Sequence, residues 1–222
     1  MKKILLAPSI LAANFFKLGE EVKEVLKFGG DIIHFDVMDN HYVPNITFGP
    51  LVLESLRKNN ITHPIEVHLM VNPITELLIK QFSDAGATTI IIHPETTFYL
   101  EKLIQVIKYY GCKIGIALNP STSFSVVENF LDQIDILLIM SVTPGLGGQK
   151  FLPFIFEKIF YIKEILDRKK KNIILEVDGG ITLKNIQKLV LLGVDVIVLG
   201  TSIFKTKNYK KTLENFKKFL LY

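Results

Sequence analysis

His34 and Asp36 stand two residues apart near the end of an apolar run, Ile32 to Met38, after which the chain turns through Asn40, Pro44 and Gly49. Strand side chains alternate between faces, so His34, Asp36 and Met38 share one face while Phe35 and Val37 take the other. An imidazole and a carboxylate placed this way can share a metal ion, and either is costly if buried without a partner. His68 lies near the end of a second such run, EVHLM, and Asp178 closes a third, EVD. Two imidazoles and two carboxylates form a mixed nitrogen–oxygen donor set suited to Zn2+, Fe2+, Mn2+ or Co2+. Each residue alone also reads as a satisfied polar group in a core, and for His68 in isolation that reading is the stronger. Four such groups at strand ends reverse the balance.

Three glycine-bearing turns follow late apolar runs: Pro144-Gly145-Leu146-Gly147-Gly148-Gln149, Asp178-Gly179-Gly180 and Gly200-Thr201-Ser202. One Gly-Gly turn is weak evidence, because tight turns need glycine anyway. Three in succession let backbone amides approach an anion, and they point to phosphate. Gly145 to Gly148 reads either as a hinged flap over substrate or as an ordinary surface loop. Three of the four methionines, Met38, Met70 and Met140, sit at strand ends, although any one alone is common core filler. His41 and His63 read as surface residues and Cys112 as a small core hydrophobe. His93-Pro94-Glu95 reads equally well as site lining or as structure.

The elements that position these groups alternate along the whole chain. Short β-branched runs predict strands at Ile4–Ala7, Asp31–Val37, Ile65–Met70, Thr88–His93, Lys113–Leu118, Ile136–Met140, Ile173–Val177 and Val194–Leu199. Amphipathic stretches between them predict helices near Asn14–Phe28, Pro50–Asn59, Pro73–Ala85, Thr97–Tyr110, Ser123–Leu131, Leu152–Lys170, Thr182–Leu192 and Tyr209–Leu221. Eight strand–helix units without a linker fit one (β/α)8 TIM barrel spanning residues 1–222, with phosphate-binding loops after strands 6, 7 and 8. A doubly wound open sheet is the alternative, but Ala7-Pro8-Ser9 lacks the glycine-rich turn it needs after its first strand. Polar residues at successive carboxyl ends of strands are how a barrel builds an active site.

Of the 222 residues, 49% are hydrophobic and 22% charged, the balance of a globular protein, and the single cysteine excludes an internal disulfide framework. The formal charge of +4 favours anionic small molecules, and the spread of lysines over candidate helices argues against nucleic acid. The first residues imitate a signal peptide, but Pro8 and Ser9 interrupt the apolar stretch. With no apolar run long enough for a bilayer, a cytoplasmic location without membrane association is the expectation.

APSILAANF, HFDVMDNHYVPNITFGP, EVHLM, SVTPGLGGQKF, EVDGGI and LGTSIF together resemble the ribulose-phosphate 3-epimerase family, in order and from Leu6 to Phe204. The resemblance implies a (β/α)8 barrel that interconverts D-ribulose 5-phosphate and D-xylulose 5-phosphate in the pentose phosphate pathway. It also implies one divalent metal per subunit and a homo-oligomer, dimer or hexamer. Carried over by motif, His34, Asp36, His68 and Asp178 are metal ligands, and Asp36 and Asp178 are also proton acceptor and donor. Ser9 and His68 would contact the sugar, and Gly145, Leu146, Gly147, Gly148, Gly179, Gly180, Gly200 and Thr201 would form the flap and phosphate sites. Two departures stand out: Leu146 where the family more often has an aromatic residue, and Thr201 where it has serine.

Inverting a carbon beside a ketone requires removing a proton from one face and returning one to the other. The intermediate is an enediolate, which a divalent metal stabilises, and two carboxylates then serve as acid and base. Met38, Met70 and Met140 would form an apolar lid that excludes water. Three rivals share most of these residues: an epimerase of a six-carbon ketose phosphate such as allulose 6-phosphate, a metal-dependent lyase or aldolase, and a non-catalytic phosphosugar-binding barrel.

Overall fold

The computed structural model describes residues 3–220. Short runs rich in isoleucine and valine, the residue types that pack best on a pleated surface, form eight strands. They are β1 (Leu5–Pro8), β2 (Ile33–Met38), β3 (Ile65–Met70), β4 (Thr89–Ile92), β5 (Lys113–Leu118), β6 (Ile136–Met140), β7 (Ile174–Asp178) and β8 (Val196–Leu199). All ladders are parallel, in the order β1-β8-β7-β6-β5-β4-β3-β2. The remaining seam, between β1 and β2, carries one parallel bridge from Ser9 to His34, and the Asp31 N–H donates to the Leu6 carbonyl at 2.8 Å. The sheet thus closes into a single (β/α)8 barrel.

Period-two alternation divides the apolar residues into two zones. Ile33, Phe35, Val67, Ile90, Leu137 and Val177 face outward and join one large core with the helices. The helices are α1 (Leu18–Lys27), α2 (Pro50–Lys58), α3 (Glu76–Asp84), α4 (Leu100–Tyr109), α5 (Ile155–Arg168), α6 (Ile186–Leu191), α7 (Thr201–Phe204) and α8 (Tyr209–Lys217). The barrel interior holds smaller apolar clusters, Ile91, Ala117, Leu138 and Met140 in one and Ala7, Val196 and Val198 in another. Interior space is tight: a Cβ on Gly115 would sit 2.6 Å from Ile91 Cγ1.

Two departures from the sequence-based expectation concern helices. The stretch Ser123–Leu131 is not an α-helix but two 3-10 turns, Phe124–Val126 and Glu128–Phe130. Its apolar face is still buried through Phe124, Val127 and Leu131, so the spacing predicted the packing and not the hydrogen bonding. A short extra helix, α7, also precedes α8. The expected end of the last helix at Leu221 lies outside the described residues, as does the start of the signal-like stretch. Among the described residues no helix is long and apolar enough to cross a membrane.

Candidate active site

Register between neighbouring strands brings the chemistry together. On β2 and β3 the Cα partners are His34 with Glu66, Asp36 with His68, and Met38 with Met70; on β6 and β7 Met140 faces Asp178. Ligand atoms of His34, Asp36, His68 and Asp178 all lie within 4.8 Å of one another. Asp36 Oδ1 is 3.3 Å from His34 Nε2 and 3.1 Å from His68 Nδ1, while Asp36 Oδ2 accepts from the Ser9 hydroxyl at 2.6 Å. These distances leave two imidazole nitrogens and two carboxylates converging on one point, a donor set that fits a divalent transition metal.

The surroundings push the two carboxyls in opposite directions. Burial disfavours an ionised Asp36, but the charge of His34 and hydrogen bonds from His34 and His68 override it and hold the group far below the ordinary range. Asp178 has less support: burial, then the negative charge of Asp36, push it up to about 7 against the opposing charge of His34. For His34, burial works against the charge, yet Asp36, Glu176 and Glu66 together raise its pKa well above the ordinary imidazole value. His68, dominated by burial, is lowered to about 4 and stays neutral.

A buried layer beneath these four groups escaped the sequence reading. His34 Nδ1 donates to Glu66 Oε1 at 2.8 Å and lies 3.5 Å from Glu176 Oε1, and both glutamates are buried. Burial and the charge of Glu66 push Glu176 well above the carboxylate range. The signal was there in the sequence: Glu66 and Glu176 stand two residues before His68 and Asp178, on the same inward face of strands whose other residues are apolar. His68 Nε2 approaches His93 Nε2 at 2.8 Å, so His93 belongs to the site's surroundings.

Above the four groups opens a cavity of about 370 Å³. Ser9, Asp36 and Asp178 line it, as do Met38, Met70 and Met140 and all the glycine turns, Gly145 to Gly148, Gly179, Gly180, Gly200 and Thr201. His34 and His68 are fully buried one step below. Gly180 has to be glycine: its φ is +60°, and a Cβ would lie 2.3 Å from the Phe151 backbone nitrogen. The loop from Gly145 to Gly148 is braced at both ends. Gln149 Nε2 donates to the carbonyls of Thr143 and Leu146 at 2.6 and 2.8 Å, and Asn45 Nδ2 donates to the Gly145 carbonyl at 3.0 Å. Lys205 is the one cationic side chain lining the cavity among the described residues. No sequence signal marked it beyond its position one helical turn after Thr201.

The loop after β2 is tied down by its own residues. Thr47 Oγ1 donates to the Asp36 carbonyl at 2.8 Å and accepts from the Met38 N–H at 2.9 Å, folding the loop back over the strand end. Asn40 adopts φ +61°, a left-handed turn that asparagine tolerates. The Tyr42 ring packs on His93 with centroids 4.9 Å apart, and its hydroxyl accepts from Asn119 Nδ2 at 2.6 Å. His41 and His63 are exposed and Cys112 is buried, as the sequence led one to expect.

Comparison with known proteins agrees with this geometry. Residues 5–204 match the Ribulose-phosphate 3 epimerase family. Ribulose-phosphate 3-epimerase of Buchnera aphidicola subsp. Baizongia pistaciae is 53% identical over 219 residues, 98% of this chain and 96% of the relative. The Escherichia coli K12 enzyme of the same name is 45% identical over 217 residues, covering 98% and 96%. Among solved structures, KGPDC from Streptococcus mutans superposes with a TM-score of 0.75 at 15% identity over 98% of this chain and 97% of its own. 3-Hexulose-6-phosphate synthase from Salmonella typhimurium gives 0.75 at 14%, over 98% and 99%. At that identity the structural likeness speaks for the fold alone. The near-full-length sequence matches, with the strand-end constellation above, place the chain in the ribulose-phosphate 3-epimerase family of carbohydrate-phosphate epimerases.

Proposed function

We propose that this epimerase interconverts D-ribulose 5-phosphate and D-xylulose 5-phosphate by inversion at C3 through an enediolate, with one divalent metal per subunit. The observation that carries the reading is the pair Asp36 and Asp178, two carboxyls lining one cavity, one held far below the ordinary range and the other raised to about 7. Pairs of titratable groups pushed apart in this way mark the base and the acid.

Asp36 takes the C3 proton, and Asp178 delivers its own to the opposite face; the roles exchange in the reverse direction. Ser9 steadies Asp36 through its hydroxyl and reaches the sugar from the cavity floor. A bound divalent ion, held by His34, Asp36, His68 and Asp178, supplies Lewis-acid stabilisation of the developing negative charge. Met38, Met70 and Met140 keep water from the reacting carbon. Gly179, Gly180, Gly200 and Thr201 hold the phosphate, with Lys205 adding a positive charge. Gly145 to Gly148, including Leu146, form the flap that closes over it.

The setting is the pentose phosphate pathway in the cytoplasm, and the assembly is a homo-oligomer. Exposed apolar side chains on the first two βα loops, Phe15, Phe16 and Ile46, together with Leu51 at the start of α2, support the assembly.

The test assays protein stripped by a chelator and then reloaded with Zn2+, Fe2+, Mn2+ or Co2+, using ribulose 5-phosphate, allulose 6-phosphate and unphosphorylated ribulose in parallel. Activity should vanish on stripping, return on reloading and be strongest on the pentulose phosphate. Failure of every metal to restore it removes the metal-assisted reading. Carbon–carbon cleavage without epimerisation would favour a lyase.

A further inference from the structure

We propose that His93 is a positioning residue that fixes His68 in the tautomer able to bind the metal, an inference that rests on the metal-binding reading above. His68 presents Nδ1 to the converging ligands, 3.1 Å from Asp36 Oδ1 and 3.3 Å from His34 Nε2. Without a metal that nitrogen donates to Asp36; to bind one it must offer its lone pair instead, and the ring proton then sits at Nε2. That nitrogen lies 2.8 Å from His93 Nε2, a distance at which two N–H groups cannot face each other. His93 Nε2 must therefore accept.

The surroundings of His93 favour the same arrangement from the other side. If Nε2 accepts, the proton of His93 sits at Nδ1, which is buried and has no hydrogen-bond partner. The nearest charge to it is the Glu95 carboxylate, with Oε2 at 3.7 Å. An N–H facing a carboxylate is attracted across that gap, whereas a lone pair there would be repelled. Glu95 is itself held by hydrogen bonds from Thr122 and Asn119 and from the Tyr42 hydroxyl. The ring of His93 packs against Tyr42, centroids 4.9 Å apart, and meets the His68 ring nitrogen to nitrogen, centroids 5.0 Å apart. The order Glu95, His93, His68 thus aims one lone pair at the metal site. It also gives Tyr42, in the loop after β2, a part in holding His93 and Glu95.

Outer partners of metal-bound histidines typically change affinity by about 10- to 100-fold when removed. The experiment titrates stripped wild-type, H93F and H93Q with Co2+, reading affinity and the visible absorption of the bound ion. Phenylalanine keeps the ring and removes the acceptor; the glutamine amide oxygen can take the place of Nε2. H93F should lose affinity in that range with an altered spectrum, and H93Q should recover most of both. Wild-type-like binding by H93F, or equal loss in both variants, overturns the proposal while leaving the metal site standing. Absence of Co2+ binding by wild-type protein brings down the metal reading itself, and this inference with it. Should H93F not fold, long-range 1H–15N spectra of Zn2+-loaded wild-type protein decide the matter. They should show a protonated Nε2 on His68 and an unprotonated Nε2 on His93, and the reverse pattern refutes the assignment.

Discussion

Asp36 and Asp178 differ less in burial than in company. Asp36 is surrounded by Ser9, His34 and His68, all able to donate to it; Asp178 meets mainly the charge of Asp36. Replacing either by asparagine removes a proton carrier and a metal ligand, so D36N and D178N should each lower kcat by about 10²-fold or more. Steady-state assays of metal-reloaded protein check this. D178N should also behave differently without metal. The folded-state pKa of about 7 lies above the ordinary value of 3.8, so ionising this group costs the folded protein stability. That penalty is absent below the unfolded pKa, grows as pH rises toward 7 and is full above it. Stripped D178N should therefore melt higher than stripped wild-type protein at about pH 8, with the gain shrinking at about pH 5, as read by calorimetry. At this scale the sequence marked the four residues that the fold brings together, because an Asp or His inside an apolar run is costly to bury without a partner. It did not show the opposite pKa shifts, which depend on distances across strands far apart in the chain.

The strands were nearly all legible as short β-branched runs, with ends off by one or two residues. The fifth helix was not. Phe124, Val127 and Leu131 have helical spacing, yet the Val127 N–H bonds to the Phe124 carbonyl and the Phe130 N–H to that of Val127, three residues back each time. Ser123 accepts from the Ser125 N–H, and adjacent Val126 and Val127 are stiff at χ1, so local preferences work against a full helix. Support for this segment comes instead from α5. Lys158 Nζ donates to the carbonyls of Asn119, Pro120 and Thr122 at 2.6, 3.3 and 2.7 Å, and burial lowers its pKa to about 8. K158M would leave those carbonyls without their donor, at a cost of about 1–3 kcal/mol. Its thermal midpoint should fall accordingly, and hydrogen exchange should rise first around Asn119–Thr122. An unchanged midpoint would show that this lysine is not what holds the loop.

On the whole molecule, some of the apolar side chains left outside the core, Leu77, Phe160, Tyr161 and Leu191, lie on the outer helices, while Phe15, Phe16 and Ile46 lie on loops at the site's end of the barrel. Phe16 is 93% exposed, and its neighbour Phe15 stacks edge-on against Phe48 with centroids 5.3 Å apart. Since Phe16 supports no packing within the barrel, F16K should leave the circular dichroism spectrum unchanged and shift the assembly toward smaller species in light scattering. An unchanged mass would move the subunit contact elsewhere. The closing seam of the barrel has a different consequence. β1 pairs in full register with β8, Leu5 opposite Val196 through Pro8 opposite Leu199, but touches β2, its neighbour in sequence, through a single bridge. β1 therefore takes its full ladder from β8, the strand furthest from it along the chain, and only edge contacts from the start of β2. Ser9, at the end of β1, reaches its partner Asp36 only through that seam.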